Sequence, residues 1–190
     1  MTIYPFLLFL LFSFPALAQE AYVPEKFSNT WVNEIARING KKVEQDGIIS
    51  LPSSVTADQS RISLVIPADT IFYRMPNGNT YVRAFLINTT EDSVPFDRQD
   101  ATLSCTTSEV FLDNVWKTME ISPSASCGNS YWTMSLAPAH FLHLHKEFWY
   151  LPGSIPVRYR IRLKNKALDL VSNEIQVLIT PKQAQIARGD

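Results

Sequence analysis

From Val157 to Leu163 the chain alternates without a break: Val157, Tyr159, Ile161 and Leu163 fall on one side of an extended backbone, and Arg158, Arg160 and Arg162 on the other. Side chains of a strand point to opposite faces in turn, so this segment must be half buried, with its apolar side against a core. A helix would scatter the same residues around its circumference. The pattern therefore commits this part of the chain to a sheet with one covered face.

Other segments read the same way. Arg61 to Ile66 is rich in β-branched residues and is stopped by Pro67, which favours a strand. Thr80 to Asn88 places Tyr81, Arg83, Phe85 and Ile87 on one face and Val82, Ala84, Leu86 and Asn88 on the other. Apolar residues on both faces predict a strand covered on both sides over part of its length. Further strands are expected around Val94 to Leu103, over Tyr131 to Leu136, over His140 to His145 and over Glu174 to Thr180. Ser108 to Ile121, interrupted by Asp113-Asn114, reads as two short strands or one bulged strand. Asn39-Gly40 predicts a hairpin turn between Ile38 and Val43, with a short helix over Trp31 to Ile38 as the alternative.

Roughly eight to ten short strands punctuated by Pro, Asn, Ser and Asp turns, with no long helical period, imply an all-β chain. The expected architecture is a single antiparallel β-sandwich of immunoglobulin-like form; a β-barrel of similar strand count is the alternative. The sandwich is placed over residues 31–181, after an extended lead-in at 19–30 and before a flexible polar tail at 182–190.

Met1 to Ala18 carries no charged side chain, has an apolar centre and ends in Ala16-Leu17-Ala18, the small-x-small pattern that signal peptidase cuts. The apolar run is shorter than the roughly twenty residues that span a bilayer. These features predict an exported chain, periplasmic or secreted, without an integral membrane anchor. Export would deliver Cys105 and Cys127 to an oxidising compartment, so one intradomain disulfide is expected, tying Val94 to Trp132 into a hairpin-like unit. On the chain-entropy account such a loop stabilises a fold by about 3 kcal/mol.

Lys and Arg number 17 and Asp and Glu 18, a net charge of −1 that gives no general argument for binding nucleic acid or a membrane surface. Chemistry must then be sought in local clusters. The three histidines, His140, His143 and His145, sit together, and on a strand His143 and His145 share a face, so they are candidate ligands for copper or zinc. Arg158, Arg160 and Arg162 could grip a repeating anion such as lipid phosphate or an acidic glycan, or could pair across the sheet with Glu174. Tyr131 and Trp132, with Phe148, Trp149 and Tyr150, are candidate partner-binding aromatics.

No nucleophile elbow, metalloprotease helix or phosphate loop occurs in the chain. The reading therefore leans away from catalysis, towards an exported sandwich that binds a protein or glycan partner in the envelope or outside the cell. A copper- or zinc-binding sandwich is the second reading. A glycan hydrolase using carboxylates among Asp97, Asp100, Glu109, Asp113 and Glu120 is the third.

Overall fold

The computed structural model of the chain describes residues 30–37, 42–44, 47–49, 51–55, 61–68, 72–74, 80–148 and 153–189. Residues 1–18, expected to be a signal segment, nearly all of the expected lead-in, Asn39-Gly40, Trp149 and Tyr150 lie outside the described residues. Among the described residues no helix is long and apolar enough to cross a membrane.

The chain is mostly β, with antiparallel sheets. Its strands are β1 (Thr30–Arg37), β2 (Lys42–Glu44), β3 (Gly47–Ile49), β4 (Ile62–Val65), β5 (Phe72–Arg74), β6 (Thr80–Asn88), β7 (Val94–Gln99) and β8 (Thr102–Leu103). There follow β9 (Thr106–Leu112), β10 (Val115–Ile121), β11 (Tyr131–Leu136), β12 (His140–Glu147), β13 (Ile155–Lys164), β14 (Asp169–Val171) and β15 (Ile175–Ile179), and then one helix, α1 (Pro181–Arg188).

The larger sheet runs β11-β7-β8-β1-β12-β6-β4, with β5 also on β6. The smaller runs β10-β9-β13-β14, with β15 also on β13, and β2 pairs with β3. The hairpin turn expected at Asn39-Gly40 lies outside the described residues. β1 is a strand between β12 and β8, its eight residues making a long ladder with β12, from Thr30 opposite Lys146 to Arg37 opposite His140.

One apolar cluster is shared by the two sheets. β13 contributes Val157, Tyr159, Ile161 and Leu163, as its alternation requires, and β9 and β15 add Val110, Ile175, Val177 and Ile179. From the larger sheet come Val82, Ala84 and Leu86 of β6 and Leu142 and Leu144 of β12, with Phe148 just beyond. The opposite faces of β6 and β12 are covered as well: Phe85, Ile87 and Phe141 form a second cluster with Val55, against which Leu51 packs. The doubly apolar reading of Thr80 to Asn88 is thus explained by a loop laid over the outer face of the sheet.

The stretch from Val94 to Trp132 is not one hairpin. β7 and β8 belong to the larger sheet, β9 and β10 form a hairpin in the smaller, and β11 returns to pair with β7. Cys105 stands at the first crossing between sheets and Cys127 at the return. The expected disulfide is not formed in the structure; both cysteines are free and exposed. The first crossing is held instead by hydroxyls, Thr30 Oγ1 to Thr106 Oγ1 at 2.6 Å and Thr106 Oγ1 to Ser122 Oγ at 2.6 Å. On the opposite flank Asn173 spans the gap, accepting from the Ile66 amide at 2.8 Å and donating to its carbonyl at 2.9 Å.

The tail expected to be frayed carries α1. Thr180 accepts a hydrogen bond from the Gln183 amide at 3.1 Å, and the Gln183 side chain accepts one from the Thr180 amide at 2.9 Å. This reciprocal capping box precedes a helix with Pro181 in its first turn and Gly189 at its end, where φ is 85°. Ala184 and Ala187 are buried in the core, and Arg188 holds Asp113 through two contacts of 3.0 and 3.2 Å. The helix packs on β10, the terminal strand of the smaller sheet, so that edge is covered. Thr180→Ala should lower stability by about 1 kcal/mol, read as a lower urea midpoint with unchanged m-value.

Candidate functional site

The arginines of β13 stand on the outer face of the smaller sheet as the alternation requires. Each has a carboxylate: Arg158 to Glu174 at 3.0 Å, Arg160 to Glu109 at 2.6 Å and Arg162 to Asp169 at 2.8 Å. Arg158 also lies over Phe111 at 3.8 Å and Arg160 over Trp116 at 3.9 Å, so rings and guanidinium groups interleave along this face. The Arg162 hydrogen bond holds the Asp169 carboxyl below the usual range. An anion binding here would compete with three carboxylates already in place.

The proposed aromatic cluster divides. Phe148 is a core residue, 2% exposed, packed against Phe72 at 4.9 Å and edge-on to Tyr159 at 5.4 Å, which corrects its assignment as a partner-binding residue. It shares the inward parity of Leu142 and Leu144, and burial of a large ring outweighs any surface use. Tyr131 and Trp132 are exposed, at 44% and 42%. They open β11, the terminal strand of the larger sheet, with Trp132 opposite Arg98 and Tyr131 opposite Gln99. The Arg98 guanidinium lies 5.5 Å from the Trp132 ring centre and 3.6 Å from the Met134 sulfur. Its buried Nε has no hydrogen-bond partner among the described residues. Partial desolvation lowers the Arg98 pKa from its ordinary value.

The histidines also divide. His140 begins β12 and its Nδ1 lies 2.7 Å from the Pro138 carbonyl, so it is not brought to the other two. His143 and His145 share the outer face, with Nε2 atoms 3.2 Å apart. His143 stacks on Phe85 at 5.0 Å with planes 8° apart, and His145 meets Tyr81 at 6.1 Å. Burial first, then its neighbour His145 and Arg83, pushes His143 down to about 3; burial and Arg83 push His145 down to about 4. Among the described residues no group of three His, Cys, Asp or Glu could hold a metal ion.

The carboxylates proposed for hydrolysis are dispersed. Glu109 pairs with Arg160 on the outer face of the smaller sheet, Asp113 binds Arg188 and Lys117 at the β9–β10 turn, and Asp97 accepts from Thr133 at 2.9 Å on the larger sheet. Glu120 is 2% exposed within the interior. Sequence reasoning missed the setting of Glu120. Lys146 is fully buried, its amine pushed down to about 8 by desolvation against the opposing pull of Glu120 and Glu147. Tyr159, also fully buried, donates to or accepts from Ser108 at 3.0 Å, and desolvation followed by Glu120 raises its phenol. The usable signal was parity, since Lys146 falls in step with Leu142, Leu144 and Phe148.

No protein-family model matches the chain, and no curated protein or solved structure matches it either.

Two outcomes follow from the buried groups. Lys146→Ala should cost roughly 3–5 kcal/mol in denaturant unfolding, because it strands Glu120 in the interior, and Lys146→Met with Glu120→Leu should recover much of that loss. For the imidazoles, the folded pKa values lie below the unfolded value of about 6.5, so the unfolded chain binds more protons as the solution is acidified. Their contribution to stability is complete above about pH 6.5 and is lost as pH falls towards 4 and then 3. In metal-free buffer, His143→Gln with His145→Gln should flatten the pH dependence of the urea midpoint across that window.

Proposed function

We propose that the chain is an exported, non-catalytic β-sandwich of immunoglobulin-like form that binds an extended segment of a protein partner along β11. The observation that carries this reading is the exposure of Tyr131 and Trp132 at the start of a terminal strand. A terminal strand offers backbone N–H and C=O groups to an added strand, and exposed aromatics beside it supply the anchoring area. Arg98 adds a polar contact next to the indole, with Nε facing no hydrogen-bond acceptor among the described residues.

The sandwich reading rests on the apolar cluster that both sheets share, and the immunoglobulin-like reading on the antiparallel pairing with crossings between sheets. Export rests on Met1 to Ala18 and its Ala16-Leu17-Ala18 end. A protein segment is favoured over a glycan because the strand edge recognises backbone, which a sugar lacks.

The test is selection of peptide ligands from a displayed random library, followed by measurement of Kd with the protein and its Trp132→Ala variant. Binders that weaken by about thirtyfold in Trp132→Ala, roughly 2 kcal/mol for an aromatic anchor, and are unaffected by Val115→Ser on the distant β10, are expected. Binders indifferent to Trp132, or Trp132-dependent binding on a glycan array with no peptide ligand, would overturn the proposal.

A further inference from the structure

The two imidazoles of β12 satisfy a geometric condition that neither packing nor the partner-binding reading requires. Residues two apart on a strand project from one face, and here the rings are turned so that Nε2 faces Nε2 across 3.2 Å. A zinc ion binds imidazole nitrogen at about 2.0–2.1 Å. Two such bonds spanning the observed separation enclose an angle of about 103°, near the tetrahedral value. A square-planar centre, with adjacent ligands at right angles, would need the nitrogens at about 2.9 Å for bonds of that length.

The ring positions are also fixed by their surroundings. Phe85 lies flat against His143, the two imidazoles meet edge to face with planes 79° apart, and Tyr81 flanks His145. Ligands held in rigid rotamers need little reorganisation on binding. On the neighbouring strand the one acidic position of β1, Glu34, is registered opposite His143. Arg83 of β6, registered opposite His145, brings a positive charge towards the same face and opposes a cation there.

We propose that His143 and His145 form a two-imidazole zinc-binding chelate on the outer face of the larger sheet, with water completing the tetrahedron. In the metal-free protein one imidazole donates its Nε2 proton to the other. On binding, that proton moves to Nδ1 of the same ring or to solvent, so both Nε2 lone pairs reach the ion.

The experiment is calorimetric titration of untagged, chelator-treated protein with zinc alone, paired with the visible spectrum after cobalt(II) addition, since tetrahedral cobalt absorbs far more strongly than octahedral. One equivalent of zinc bound and a tetrahedral cobalt spectrum are expected. His143→Gln and His145→Gln should each weaken binding more than about tenfold, whereas His140→Gln should leave it unchanged and Arg83→Gln should tighten it. Because the histidine variants could alter folding, the wild-type protein supplies a second reading: zinc should raise its Tm. Absence of zinc heat together with an unmoved Tm, or binding that survives both histidine substitutions, would overturn the proposal.

Discussion

Lys146 puts an amine in the buried interior, in line with the apolar Leu142 and Leu144. Desolvating an ammonium costs several kcal/mol unless a negative charge and hydrogen-bond acceptors answer it. Two carboxylates supply the answer, Glu120 from β10 of the other sheet and Glu147 from the next position of β12. Such an arrangement tolerates only one stacking of the sheets. A slide by one residue along β12 would turn Lys146 to the outer face and leave Glu120 inside alone. Apolar burial supplies most of the driving force here, and the charged pair narrows the ways in which it can be satisfied.

The same sheets must dispose of their edges. At β10 the solution is α1, whose alanine face lies on the core while Arg188 ties the helix end to Asp113. On the flank formed by β4 and β14, Asn173 clamps the backbone of Ile66, and an open cleft of about 460 Å³ remains between the strands. At β11 the Leu136 end is held by Asn88, which donates to the Leu136 carbonyl at 2.9 Å, and the opposite end leaves two aromatic side chains, Tyr131 and Trp132, in water. Exposed aromatics on a strand edge invite association, so their placement at the end of β11 away from that clamp gives the strand its interest.

How much of this could be read in advance depended on whether the deciding force was local. Alternation is local, and it located β13, β6 and β11 to within a residue or two and separated the inward side chains of β13 from its arginines. Parity likewise separated His140 from His143 and His145. Parity also pointed Phe148 inward, in step with Leu142 and Leu144, but the rings that seat it, Phe72 and Tyr159, come from other strands and were not visible locally. The β1–β12 ladder was likewise invisible beside the stronger local cue of Asn39-Gly40. The helix is different, because its signal was present: Thr180, Pro181, Gln183 and Gly189 spell a capped helix, and tail position alone concealed it. The cysteines show the limit of compositional reasoning. Both stand at crossings between sheets, where hydroxyl pairs and backbone bonds already hold the chain.

The arrangement of the larger sheet also bears on whether its two candidate sites can influence one another. β11 and β12 stand four places apart in the strand order, yet they follow one another in the chain and meet where Leu136 leads through residues 137–139 into His140. Between them lies a narrow seam. β1 meets β12 along nearly its whole length, yet it meets β8 through the single pair Trp31 and Thr102, reinforced by the Val32 amide donating to the Ala101 carbonyl at 3.0 Å. A sheet joined so sparingly transmits little through its ladder. Two other routes join the strands: the Leu136 end, where Asn88 opposite His140 donates to the Leu136 carbonyl at 2.9 Å, and the shared core, from Leu144 and Lys146 across to the smaller sheet and back to Phe96 and Leu136. The core route runs through close-packed side chains and the buried charge pair, which resist small displacements. Tyr131 and Trp132 stand at the end of β11 away from the Leu136 connection, so the edge they occupy and the outer face of β12 are distinct surfaces on one scaffold.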